Sequence, residues 1–69
     1  MEIFVNGGKV SIYRGMSVKH ALIASDQRLY EAAMDGLVRV VDDNGFVLGL
    51  EGALSEGARI YTRTAEDKG

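Results

Sequence analysis

An α+β fold is what the sequence predicts, on three observations. Short runs on either side of Asn6-Gly7-Gly8 alternate apolar and polar residues, as paired strands do. From Val18 onward, apolar residues recur at helical spacing. Beyond Gly36 the pattern returns to strands, with a valine-rich run, an Asp43-Asn44-Gly45 turn signal and an alternating run from Arg59 to Thr64.

Each element has a local reason. From Glu2 to Asn6, Ile3 and Val5 point one way and Glu2, Phe4 and Asn6 the other. From Lys9 to Arg14, Val10 and Ile12 oppose Ser11 and Tyr13. The glycines between these runs favour a tight hairpin, whose turn residues need positive φ. A Gly7-Gly8 turn sets Val5 opposite Val10 and Ile3 opposite Ile12. An Asn6-Gly7 turn slides the pairing by two residues and keeps the same faces. Of the two, the Gly7-Gly8 pairing is the expected one.

Ser17 is placed to cap a helix from Val18 to about Ala24, because its hydroxyl can accept from the first free amides. Asp26 can cap a second helix, Gln27 to Asp35, closed by Gly36. The apolar positions also suit one unbroken helix, and Tyr30 to Met34 also fits a strand. The Ser25-Asp26 start signal and the alanine-rich stretch favour two helical pieces. Leu37 to Asp42 reads as a strand, Asn44-Gly45 as its turn and Phe46 to Leu50 as its return, pairing Val41 with Leu48. Glu51 to Gly57 is a loop holding Leu54. Arg59 to Thr64 is the last strand, with Ile60 and Thr62 on one face and Tyr61 and Arg63 on the other. Residues 1–64 form a single domain, and 65–69 read as a polar, disordered tail.

Composition narrows the function classes. A chain of 69 residues buries a modest core. It has no cysteine, which excludes disulfides, iron–sulfur clusters and thiolate metal sites and fits a cytoplasmic protein. No apolar run approaches the roughly 18 residues of a membrane span, and no signal-peptide pattern is present. Eight basic and ten acidic side chains give a net charge of -2, which disfavours a dedicated nucleic-acid binder.

Chemical motifs are sparse. His20 is the only histidine, with no nucleophile paired to it in the sequence, and reads as a surface or boundary residue rather than a general base. Asp42-Asp43-Asn44-Gly45 lacks the alternate acids of a calcium loop and reads as a turn. Gly49, Gly52 and Gly57 have no phosphate-cradling spacing and read as turns or bulges. No catalytic group, metal site or cofactor is expected, so the chain is read as a non-enzyme.

Two parts of the chain carry a family resemblance. "IFVNGGKVSIYRGMSVKHAL" resembles the start of sulfur carriers for thiamine and molybdopterin synthesis, with its Val-Asn-Gly strand end and Gly-x-Ser-Val helix start. The second half, "AAMDGLVRVVDD" and "LEGALSEGARIYTRT", looks more like a TGS domain, where a leucine, an acidic residue and a glycine precede the last strand, as Leu54, Glu56 and Gly57 do. Both belong to the β-grasp, or ubiquitin-like, superfamily. The resemblance implies a mixed sheet of four to five strands, the last parallel to the first, with one main helix packed on one face. Sulfur carriers end in a diglycine that is adenylated and thiolated. Here Lys68 precedes Gly69, which disfavours that chemistry unless the tail is lost or processed.

With first and last strands adjacent, Ile3, Val5, Val10, Ile12 and Ile60 face the helix. Phe4, Tyr13 and Tyr61 face the other way, with Arg59 and Arg63 beside them. Aromatics flanked by arginines mark a candidate partner-binding surface. The function expected is therefore a small protein-interaction module or subunit docking through its sheet face, with a homodimer through a sheet edge as a further partner mode. The alternatives are a sulfur-carrier-like protein and a TGS-like regulatory domain binding nucleotide or RNA.

Overall fold

The computed structural model describes residues 1–65. It has β1 (Glu2–Val5), β2 (Gly8–Ser11), α1 (Val18–Ser25), α2 (Gln27–Met34), β3 (Val38–Asp42), β4 (Val47–Leu48) and β5 (Arg59–Thr64). The strands form one mixed sheet in the order β2-β1-β5-β3-β4. β1 runs parallel to β5, and the other three pairings are antiparallel. Of the polar tail expected over 65–69, only Ala65 is described. Its N–H donates to the Leu37 carbonyl at 2.9 Å, which ties it to the residue before β3. Residues 66–69 lie outside the description.

Instead of one main helix there are two of eight residues each. The break is at Asp26, whose extended backbone ends α1 and whose side chain caps α2 by accepting from the Arg28 N–H at 3.0 Å. Gly36, at φ 77°, closes α2. The helices are unequal in burial. Val18, Ala21 and Leu22 of α1 are buried, and α2 buries none of its residues. Leu29, Tyr30 and Ala33 of α2 pack half-buried against the rim of the core.

That core lies between α1 and one sheet face. Ile3, Val5 and Ile60 are at most 3% exposed there, joined by Ile12 and Val40. The side-chain alternation of β1 and β5 explains the arrangement, since Val5 is the register partner of Ile60 across the parallel pair.

Both hairpins differ in register from the sequence expectation. The first turn is Asn6-Gly7, with φ 52° and 85°, and not Gly7-Gly8. Val5 therefore pairs with Gly8 and Ile3 with Val10. Asn6 is held there by a tertiary contact. Its amide oxygen accepts from the Thr62 N–H and its amide nitrogen donates to the Thr62 hydroxyl, both at 2.9 Å. β2 ends at Ser11, short of the expected Arg14, because the Met16 N–H donates to the Tyr13 carbonyl across a tight turn with Gly15 at φ 90°.

In the second hairpin Val41 pairs with Val47 and Val40 with Leu48, one residue away from the expected Val41–Leu48 pairing. The cause is Asp42. Its carboxylate accepts from the N–H groups of Asn44 and Phe46 at 2.9 and 3.0 Å, and its own N–H donates to the Phe46 carbonyl. This makes a three-residue loop with Gly45 at φ 87°. A slip of one residue exchanges the faces of the returning strand. Leu48 turns toward the core and Val47 toward the opposite side.

The long loop before β5 is tied at both ends. The carbonyls of Gly52 and Leu50 accept from the Val18 and Lys19 N–H groups at the start of α1. Farther on, Gly57 donates to the Glu2 carbonyl at 2.7 Å, and the Glu56 carboxylate accepts from the Glu2 N–H at 3.1 Å. Leu54 packs half-buried against the core. Among the described residues, no helix is long and apolar enough to cross a membrane.

Candidate docking face

The sheet face away from the helices is crossed by three rows of side chains, fixed by the register. In the first row, Arg39 of β3 lies directly opposite Arg63 of β5. Next, Val41 stands between Tyr61 of β5 and Val47 of β4. In the third, Phe4 of β1 is the partner of Arg59 of β5, whose guanidinium sits 5.4 Å from the centre of the Phe4 ring. That distance is within cation–π range and places the guanidinium over the ring face. Beyond Phe4, Lys9 lies 3.9 Å from Glu2, a loose exposed pair.

Burial on this face is uneven. Val41 is 3% exposed although no helix covers it and it stands outside the main core cluster. Its strand neighbours Tyr61 and Val47 flank it on either side. Tyr61 is half-buried, while Val47 and the adjacent Phe46 are 62% and 68% exposed. The face thus combines a packed apolar centre with a wet apolar flank at β4. None of Arg39, Arg59 and Arg63 forms an ion pair among the described residues. Asp43 and Arg59 both border a depression lined also by Leu48, Leu54 and Ile60, without meeting as an ion pair.

Four of the five residues expected at this surface are brought together here: Phe4, Arg59, Tyr61 and Arg63. Tyr13 is not. β2 has already ended when the chain reaches it, and its ring is 78% exposed beside a shallow cleft bordered by Ile12, Met16, His20 and Ile23. Its strand alternation in the sequence continues past the point where the backbone turns. In exchange, the face gains Arg39, Val41 and Val47, which sequence reading did not assign to it. The signal was present in Arg39-Val40-Val41, where alternation puts 39 and 41 on one side. Only the pairing with β5 says which side that is.

His20 has a defined local role. Its Nδ1 accepts from the Ser17 backbone N–H at 3.0 Å, a donor that can only donate. The ring proton is therefore on Nε2. Ser17 Oγ lies 3.2 Å from the same nitrogen. Histidine thus stands at the position that glutamate or glutamine takes in a capping box, and the His20 N–H itself donates to the Ser17 carbonyl at 3.0 Å. The Ser-x-x-His spacing in the sequence carried that signal. The lone pair a general base would use is already engaged by backbone.

Charge pairs occupy the helical side. The Lys19 ammonium donates to Glu51 at 2.9 Å, which raises the lysine pKa and lowers that of the carboxylate, in each case chiefly through this hydrogen bond. The Arg28 guanidinium, and then its backbone N–H, hold the Asp26 carboxyl below its ordinary value. Both pairs link helices to their own caps or to the loop above them, and neither reaches the open face.

No protein-family model, no curated protein and no solved structure matches the chain.

Proposed function

We propose that this chain is a non-enzymatic interaction module of β-grasp, ubiquitin-like architecture that docks a protein partner through its open sheet face. The architecture is supported by the element order, by first and last strands lying parallel at the middle of the sheet, and by helices on one face only. The docking reading rests on one observation above all. A face carrying Phe4, Val41, Tyr61 and Val47 is left uncovered, and three arginines stand on it without ion-pair partners among the described residues. Aromatic residues and arginine are the side chains that interface centres favour. The reading assigns the chain no reaction and no cofactor.

The test places a photo-reactive side chain at Val47, on the open face, or at Ile23, on the helical side. Cross-linking from Val47 to a discrete partner is expected, and it should disappear when Phe4→Ala and Tyr61→Ser are introduced together. Adducts formed from Ile23 alone, or Val47 adducts indifferent to that pair, would assign docking to another surface.

A further inference from the structure

We infer that the segment docked on this face is an extended acidic strand, with two carboxylates flanking an apolar residue in an acidic-x-apolar-x-acidic pattern. The inference deepens the docking reading and rests on it. Its starting point is the register. Arg39 and Arg63 are directly opposed across an antiparallel pair, an arrangement that is unfavourable for like charges and that no acidic side chain among the described residues relieves. An anion placed over the pair converts the repulsion into two charge-assisted hydrogen bonds.

The spacing specifies the rest. Arg59 and Arg63 lie four residues apart on one face of β5, which is about 13 Å along a strand. Between them stand Tyr61 and its buried neighbour Val41, an apolar floor. An extended partner has the same repeat. Its residues i, i+2 and i+4 face one way, so carboxylates at i and i+4 reach the arginine ends while i+2 rests on Tyr61. A helix brings i and i+4 to within about 6 Å and fits the two ends poorly. Arg59 is pre-oriented by its cation–π contact with Phe4. A nucleic-acid backbone would bring a continuous run of phosphates to a chain whose net charge is -2, whereas a short segment brings only two carboxylates, both held over the arginine ends.

The experiment is an amide-resolved NMR titration of the isotope-labelled full chain with three probes. These are a peptide containing Glu-Ser-Val-Ser-Glu, the same peptide with lysine for glutamate, and a single-stranded oligonucleotide. The glutamate peptide is expected to shift the signals of Phe4, Arg39, Val41, Tyr61 and Arg63, with binding that weakens as salt is raised. The R39Q/R63Q variant should weaken it roughly tenfold or more while keeping the spectrum of a folded chain. If the lysine peptide or the oligonucleotide binds these residues more tightly, the acidic-strand assignment is overturned and the docking face stands. Shifts confined to the Tyr13, Met16 and Ile23 side would overturn both. Glutamate-peptide binding unchanged in R39Q/R63Q also overturns the assignment.

Discussion

The two faces of this sheet are built from the same strands and do opposite things. On the covered face, Ile3, Val5, Val40 and Ile60 meet α1 and lose nearly all contact with solvent. On the open face, one residue along each strand, only Val41 is buried, with Tyr61 and Val47 as its cross-strand partners and no helix over it. The lesson is that the fold needs one face only. Alternation then frees the other set of positions to carry aromatics and arginines whose arrangement the core does not require.

The sharpest way to break the comparison is to cut each face in turn. Ile3→Ala removes a fully buried side chain beneath α1 and is expected to cost about 2–5 kcal/mol, enough to unfold much of so small a domain. Thermal melting followed by circular dichroism measures it. Gly52→Ala tests the loop that ties α1 to the sheet. Its new Cβ would stand 3.1 Å from the Gly49 carbonyl oxygen and 3.6 Å from Val18, at an expected cost of about 1–3 kcal/mol in a urea titration. Val41→Ala is the open-face counterpart of the first change. Two carbons' worth of buried apolar volume amounts to about 1.5 kcal/mol. If it matched Ile3→Ala in magnitude, the two faces would be equal partners in stability.

Smaller effects sharpen the contrast. Arg39→Gln and Arg63→Gln should each leave stability unchanged or raise it by up to ~0.5 kcal/mol, and together give less than the sum, because either change relieves the same repulsion. A loss in the single variants would mean that these arginines hold the fold, and the double-mutant cycle in denaturant would show it. The least effect is expected from pH. Glu51 and Asp26 are held below their ordinary values by Lys19 and Arg28, so their contribution is present above the usual carboxylate range, about 4, and fades as the pH falls through their lowered values. Lys19 is raised, so its share of the same pair is present below its ordinary value and is lost as the pH rises through the raised one. In acid, Glu51→Gln and Asp26→Asn should converge on the parent melting temperature, while the open-face variants keep their offset. Salt should shrink these differences, because both pairs are exposed.

Much of this was legible in the chain. The caps at Ser17 and Asp26, the start of both helices and the limits of the last strand followed from local chemistry, since a cap or an alternation is satisfied within a few residues. That Phe4, Arg59, Tyr61 and Arg63 share one sheet face was legible for the same reason. Tyr13 was misplaced because alternation in sequence does not show where a strand stops pairing. Arg39, Val41 and Val47 were missed because their face depends on partners some 20 residues away, or on one residue of loop length.

What the sequence determined by itself, then, is the α+β class, the order of the elements and the identity of the apolar positions on either side of each strand. These rest on side-chain periodicity and backbone preference, which act over one or two turns. Tertiary structure alone decided the registers. The amide of Asn6 reaches across to Thr62, and the carboxylate of Asp42 gathers two backbone N–H groups to lengthen the second loop. The pairing of β3 with β5, strands some 20 residues apart in the chain, puts Arg39 opposite Arg63 and Val41 beside Tyr61. The reason is geometric: a strand reverses its faces with every residue of slip, so the open surface takes its composition from long-range pairing.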